Sequence, residues 1–373
     1  MPERTEKILV RGVNWLGDAV MTTPALQRLR EARPHARITL LTPEKLAGLW
    51  EEQPFLDEVM TFSASENVWQ VIWRLRREKF TESVAFPNSI RSALELCLAK
   101  IPRRVGLARP GRCLLLTQTL PPRPGAIPMR KRSAREIRLL LARNAPPAII
   151  PPAAHHIHDY LYLTKELGAS AEPLPPRIFI TGEQAGRLCP RLRVETAPAE
   201  RPWFGLNPGA EYGPAKRWPL KKFAAAAVLL QKQTNCRWLI FGGQNDFDLA
   251  EKLTTEIRFS GTSPDGVLNL AGKTTLRELA AALKLCKLLL TNDSGPMHLA
   301  SAVGTPVVVP FGSTSPELTG PGPGPGIRIV RRPPPCAPCF RRECPIDLRC
   351  LAGISAAQVV EAAREILQAK SSA

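Results

Sequence analysis

Residues 287–312 read KLLLTNDSGPMHLASAVGTPVVVPFG, and this stretch decides the fold. Two short apolar runs, Lys287 to Asp293 and Pro306 to Gly312, have the length and continuity of buried strands, and Gly295 to Val303 between them reads as a helix. Strand, helix, strand is a βαβ unit, which makes the two strands parallel and puts helices against the sheet. Moving toward the N-terminus, the same alternation continues. Strand runs WFGLNPG (Trp203 to Gly209), RWLIFGG (Arg237 to Gly243) and VLNLAG (Val267 to Gly272) alternate with helical stretches at Lys221 to Lys232, Phe247 to Ile257 and Leu276 to Leu285. Together they predict a doubly wound α/β unit.

The first half repeats this grammar. KILVRGV (Lys7 to Val13) leads into Asn14-Trp15-Leu16-Gly17-Asp18 and a helical pattern from Ala19 to Ala32, then ITLLT (Ile38 to Thr42), EVMTF (Glu58 to Phe62), a helix around Val68 to Arg77, and SVAFP (Ser83 to Pro87). Between the halves lies a Pro-rich and Glu/Arg-rich zone, Pro173 to Pro202, with the composition of a linker. The expected division is an N-terminal unit at 1–180, a linker at 181–202, a C-terminal unit at 203–352, and an amphipathic helix at 353–373 that is open to packing back on the first unit. Ligands of such sheets bind outside the carboxyl ends of the strands, so the site is expected in a cleft where the two units face each other. No G-x-G-x-x-G follows the first strand, which sets a nicotinamide dehydrogenase aside.

Composition narrows the partners. Lys and Arg number 51 against 33 Asp and Glu, a net charge of +18, which favours polyanions or phosphorylated substrates. No apolar run approaches the ~20 residues that span a bilayer, and the N-terminus lacks the h-region of a signal peptide, so a cytoplasmic protein is expected. Arg103, Arg104, Arg109, Arg112, Arg123, Arg130, Lys131, Arg132, Arg135, Arg138 and Arg143 cluster with one acid, Glu136. Aromatics are absent from that segment, so base stacking is unsupported; anionic lipid headgroups fit it better than nucleic acid, and a solvated charged face is the competing reading.

Two junctions carry chemistry. Gly209-Ala210-Glu211-Tyr212-Gly213-Pro214-Ala215-Lys216-Arg217-Trp218-Pro219 follows the first strand of the second unit. Its glycines allow close backbone approach, Lys216 brings a mobile charge, and Pro219 suits the start of the next helix. A lysine before a helix N-terminus is suited to a diphosphate; a solvated structural loop is the competing reading. The second junction is Thr291-Asn292-Asp293-Ser294-Gly295-Pro296-Met297-His298, where Asp293 or Ser294 could also serve only as a helix cap.

These segments resemble the ADP-heptose:lipopolysaccharide heptosyltransferases. The resemblance spans nearly the whole chain: ILVRGVNWLGDAVMTTPAL, FPNSIRSA, GAEYGPAKRWP and TNDSGPMHLASAVGTPVVVPFGSTSP. It implies a GT-B fold, two Rossmann-like domains across a cleft, and inverting transfer of L-glycero-D-manno-heptose from ADP-heptose. The GAEYGPAKRWP loop is similar to that of members adding the second heptose, so the implied acceptor is lipid A–Kdo bearing one heptose, at the inner face of the inner membrane. By the same resemblance Asp18 matches the general base. Lys216, Asp293, Ser294, Gly295 and His298 match the donor-binding residues, with Gly209, Glu211 and Tyr212 in the donor loop. Asn88 and Ser89 lie where the acceptor would be met. No cofactor is implied beyond the donor substrate. The first-heptose enzyme or another member is the alternative; a non-catalytic polyanion or nucleic-acid binder is the remote one.

Nine cysteines without a secretion signal are not a disulfide framework. Cys97, Cys113, Cys189, Cys236 and Cys286 are scattered. Cys336, Cys339, Cys344 and Cys350 cluster, and free thiols, a disulfide or a structural metal all remain open for them.

Overall fold

Twelve parallel-paired strands, six to a sheet, carry the chain's two repeats in a computed structural model. The structure describes residues 6–63, 65–144, 146–183, 186, 201–260, 266–322 and 324–371. The expected linker therefore lies mostly outside the described residues, as does Cys189 within it. Contacts divide the chain into one unit formed by residues up to Ala126 with Ala153–Phe179, and another formed by Ile127–Pro152 with residues from Ile180 onward.

In the first unit the strands are β1 (Lys7–Arg11), β2 (Arg37–Pro43), β3 (Glu58–Phe62), β4 (Glu82–Ala85), β5 (Arg103–Leu107) and β6 (Gln118–Leu120). They lie in the order β3-β2-β1-β4-β5-β6, all neighbours parallel. The helices used below are α1 (Leu16–Met21), α2 (Thr23–Ala32), α3 (Val68–Glu78) and α4 (Ile90–Leu98). Leu9, Leu41, Val71, Leu75, Leu96 and Ile101 join α3 and α4 to one face of the sheet. The start of α3 is fixed by a capping box, with the Asn67 side chain accepting from Trp69 N and the Asn67 N–H donating to Gln70.

The second unit holds β7 (Trp203–Asn207), β8 (Arg237–Ile240), β9 (Val267–Asn269), β10 (Leu289–Thr291), β11 (Val307–Phe311) and β12 (Ile327–Arg331). Their order, β12-β11-β10-β7-β8-β9, is the first sheet's order repeated. Its helices include α5 (Ala134–Ala142), which the basic segment contributes, then α6 (Leu220–Thr234), α7 (Phe247–Phe259), α8 (Leu276–Leu285), α9 (Gly295–Ala302) and α10 (Ala356–Ser371). In each sheet the strand order reverses between the first and fourth strands, so the binding crevices of this topology fall at β1/β4 and at β7/β10.

Two boundaries differ from expectation. The segment 127–152 belongs to the second unit, because Ile137 and Leu141 of α5 bury against Cys336, Cys339 and Ile346. The final helix α10 packs on α6, β11 and β12, where Val359, Val360, Ala363 and Ile366 enter the second unit's core.

The division at residue 126 also breaks up the basic segment. Arg103 pairs with Glu82, Arg123 with Asp159 and Arg130 with Glu136, while Arg104 and Arg132 donate to backbone carbonyls. Arg112 is fully buried. The segment is thus not the single cationic surface that its composition suggests.

Candidate active site

The second unit's crevice is built where two strands end side by side. Asn207 closes β7 and stands in register with Thr291, which closes β10. The Asn207 amide donates to Thr291 Oγ1 at 3.2 Å, to Ser294 Oγ at 3.0 Å and to Gly209 O at 3.3 Å. Asn292 reaches the other way: its amide donates to Pro208 O at 2.7 Å, and its carbonyl accepts from Trp218 N at 2.9 Å. Two asparagines therefore stitch the loop after β7 to the loop after β10, and satisfy backbone groups that burial would otherwise strand.

On this frame Lys216 Nζ lies 2.6 Å from Asp293 Oδ2, with side-chain exposures of 13% and 4%. Thr314, beyond the end of β11, donates to the same carboxylate oxygen. The lysine also sits 4.9 Å from the centre of the Tyr212 ring, and the Arg342 guanidinium 5.5 Å from that ring. Tyr212 OH donates to Phe340 O at 2.7 Å. Burial, chiefly, with Cys339 and Asp293 nearby, raises the Tyr212 phenol above its ordinary range, against the opposing pull of Arg342.

Two glycines in the loop sit where a side chain would meet a neighbour, and at Gly213 that neighbour is backbone. Gly213 holds φ at +146°, and a Cβ there would come 2.6 Å from Arg342 O. A Cβ on Gly209 would strike the Asp246 carboxyl group. The cysteine-bearing loop braces both sides of the crevice: Ala215 N donates to Arg342 O at 2.9 Å, and Cys339 N and Phe340 N donate to Ser313 O at 3.0 and 2.8 Å.

Of the residues singled out in the sequence, Gly209, Tyr212, Lys216, Asp293, Ser294 and Gly295 meet at this edge. Ser294 is the N-cap of α9 without a side-chain capping bond, because its hydroxyl accepts from Asn207 instead. His298 is buried one turn into α9, and Glu211 is exposed. Sequence reading missed Asn207, Asn292, Thr314 and Arg342. An amide closing an apolar strand directly before Pro-Gly was a usable sign for Asn207. Nothing local marked Arg342, whose place depends on a loop that returns from the far end of the unit.

The first unit's crevice is sparser. Asp18 lies in the first turn of α1, half-buried, and the N-cap is Trp15 rather than the aspartate. Asp18 is therefore held near the carboxyl end of β1. Its charge is felt by the buried Tyr160, whose phenol is pushed well up, mainly by burial. Across the strand reversal, Asn88 accepts from Arg112 Nη1 at 3.4 Å, and Ser89 caps α4 by accepting from Ser92 N at 3.2 Å. Burial lowers the Arg112 pKa, and Arg112 also donates to Pro87 O at 3.0 Å.

The clustered cysteines line a cavity of about 20 Å³, with Ile137, Leu348 and Ala215 among its walls. No disulfide joins any of the four. Burial raises Cys336 and Cys339 and pushes Cys350 up to about 12. Among the described residues, no three His, Cys, Asp or Glu side chains are grouped to hold a metal.

Comparison with known proteins gives these features a context. The profile of glycosyltransferase family 9 (heptosyltransferase) matches residues 122–349. Lipooligosaccharide heptosyltransferase 2 of Haemophilus influenzae is 31% identical over 327 residues, 84% of this chain and 85% of the relative. Lipopolysaccharide heptosyltransferase 2 of Escherichia coli is 28% identical, with 84% and 85% covered. Among solved structures, E. coli ADP-heptose LPS heptosyltransferase II superposes with a TM-score of 0.74 at 25% identity, covering 98% of this chain and 99% of that one. A glycosyl transferase family 9 structure from Veillonella parvula gives 0.76 at 24% identity, with 99% of each chain covered.

Proposed function

The chain belongs to glycosyltransferase family 9, the heptosyltransferases, and from that premise we propose that it moves a heptose from ADP-heptose onto the first heptose of the lipopolysaccharide inner core. The observation that carries the reading is the pre-paired cradle at β7/β10, where Lys216 rests on Asp293 beside the first turn of α9. A diphosphate entering there would meet a lysine, a helix N-terminus and a loop whose glycines permit close approach.

In this reading the reaction is a single displacement at the anomeric carbon, with inversion. Asp18 takes the proton from the acceptor hydroxyl as the oxygen–carbon bond forms, and the bond to the ADP leaving group breaks. The transition state has oxocarbenium character. Negative charge developing on the diphosphate is met by Lys216 and the amides of α9, a preorganised positive potential that needs no metal. Asn88 and Ser89, beside α4, would meet the acceptor, and Tyr212 and Gly209 would line the donor loop. His298, buried behind Ser294 and Gly295, would support the donor sugar's site.

The acceptor, lipid A carrying Kdo and one heptose, is membrane-borne. The protein would work as a peripheral enzyme at the cytoplasmic face; among the described residues no helix is long and apolar enough to cross a membrane.

The test is transfer from ADP-heptose to Kdo–lipid A acceptors bearing either no heptose or one, with Asp18→Ala alongside. We expect transfer only to the heptose-bearing acceptor. The variant should lose ~10²–10⁴-fold in turnover, the worth of an aligned base, while still binding ADP. Transfer only to the heptose-free acceptor would move the enzyme one step earlier, and normal turnover in the variant would remove Asp18 as base.

A further inference from the structure

Helix α3 turns an unusual face outward. Val71, Ile72 and Leu75 are buried against the sheet, whereas Trp69 and Trp73, one turn apart, are 61% and 58% exposed. Two tryptophans left largely bare are a poor solution for a surface that meets only water, since each presents a large apolar ring. The next turn supplies charge of one sign. The Arg77 guanidinium stacks over Trp73 at 4.7 Å, Arg76 is exposed beside it, and Lys79 ends the helix. Among the described residues neither Arg76 nor Arg77 pairs with a carboxylate. The nearby acids are engaged elsewhere: Glu66 with Arg74, Glu78 with Lys7, and Glu95 with Arg11 and Arg91.

The neighbouring helix continues the pattern. Helices α3 and α4 pack side by side on the same sheet face. The first turn of α4 carries Ile90, 54% exposed, and α4 packs beside the short turn Cys113–Leu115 that holds Leu114, 94% exposed. In a parallel sheet, each helix that follows a strand begins at the strand's carboxyl end, the end at which Asp18 stands. Trp69 and Ile90 therefore lie at the edge where a lipid-borne acceptor would have to arrive.

We propose that the outer face of α3, with the first turn of α4, is the surface on which the first unit rests against an anionic lipid bilayer. Trp69 and Trp73 enter the headgroup region, where amphipathic indoles settle, and Arg76 and Arg77 pair with lipid phosphates. Exposed tryptophans with adjacent arginines and no free acid match the requirements of an interfacial helix, apolar contact plus attraction to anionic lipid. This replaces the basic segment 103–143 as the docking surface, because that segment is divided between two units and many of its arginines are engaged internally. The inference rests on the reading that the acceptor is carried by a lipid.

The experiment is sedimentation of the full-length protein with phosphatidylglycerol-containing vesicles and with pure phosphatidylcholine vesicles. It compares wild type, Trp69→Ser/Trp73→Ser, Arg76→Gln/Arg77→Gln and, as control, Arg135→Gln/Arg138→Gln. Wild type should favour the anionic vesicles, each α3 pair should weaken binding at least tenfold, and the control should change it little. Lipids carrying a doxyl quencher should quench the wild-type tryptophan fluorescence, and Trp69→Phe/Trp73→Phe should lose most of that quenching. Unchanged binding in the α3 variants, or equal binding to neutral vesicles, overturns the proposal. So does a wild-type dimer in gel filtration that Trp69→Ser/Trp73→Ser converts to a monomer, which would make the face a contact between copies. Turnover on a deacylated acceptor separates this from the catalytic reading. The α3 variants should keep it, whereas a wild type that binds vesicles but transfers no heptose leaves the docking surface standing and the assigned reaction wrong.

Discussion

Each sheet carries a buried ion pair near its carboxyl edge, and the two pairs differ in a way that separates structure from function. In the first unit Arg11 bonds Glu95 at 2.8 Å, with side-chain exposures of 4% and 0%. Arg91 holds the other carboxylate oxygen, Phe62 lies 4.3 Å from the guanidinium, and Gly12 O accepts from it. Every side of that cation is occupied. In the second unit Lys216 keeps 13% of its side chain open, and its partner Asp293 also accepts from Thr314. A sealed pair can only hold the fold, whereas an open pair can exchange its carboxylate for an arriving anion.

The largest effect should come from breaking the sealed pair. Glu95→Ala would leave Arg11 charged and buried with no counter-ion; burial already lowers the Arg11 pKa, and Glu95 offsets that loss. About 3–5 kcal/mol of stability should be lost, read as a lower urea midpoint at unchanged slope. Arg11→Met/Glu95→Leu, which removes both charges, should recover most of it. If Glu95→Ala kept its stability and lost turnover instead, the pair would belong to the chemistry and the contrast would fail.

Breaking the open pair should invert that pattern. Lys216→Ala should cost less stability than Glu95→Ala, because its ammonium keeps some contact with solvent and the Asp293 carboxylate it leaves behind retains its bond from Thr314. Turnover should fall ~10²–10³-fold, the loss typical of removing one donor that meets transition-state charge, and the KM for ADP-heptose should rise with it. Asp293→Asn, which frees the lysine from its carboxylate, should also unsettle the loop, since Thr314 and Lys216 both converge there. A Lys216→Ala protein that unfolds readily yet turns over normally when folded would make this pair structural too.

The same contrast marks what the sequence made legible. Both doubly wound units were readable because most of their strands are continuous apolar runs, as in KILVR and VVVPF, flanked by helices of clear period. The strands β5, β6 and β12 escaped notice through composition and length rather than position, since β11 holds the same place in its sheet as β5 and was readable as an unbroken apolar run. RRVGL and IRIVR mix arginine into the run, and QTL is three residues long. The site divided similarly. Lys216, Asp293 and Asp18 stand at strand-to-helix junctions, where local sequence announces a ligand edge. Asn207 and Thr314 act through partners distant in the chain, and the allegiance of 127–152 was decided by where Ile137 could be buried. Periodicity carries no record of such pairings.

Arg342 gives the smallest and most discriminating test. At the second unit's edge Lys216 is matched by Asp293, and Arg217 faces Asp246 at 3.4 Å. Among the described residues Arg342 pairs with no carboxylate, and it shares the Tyr212 ring with Lys216. A diphosphate carries more negative charge than one already-paired lysine can offset, so the open pair needs a second cation, and Arg342 is placed to supply it. Arg342→Ala should weaken ADP binding about tenfold, equivalent to about 1.4 kcal/mol, and leave adenosine binding unchanged. Added guanidinium should restore part of the loss. The backbone of residue 342, which holds Ala215 and crowds Gly213, is the same in the variant, so a loss shared equally by ADP and adenosine would mean that the loop had moved rather than that a charge had gone. Unchanged ADP affinity would leave Lys216 as the sole cation of the cradle, and the open pair would then have to part completely from Asp293 when the donor binds.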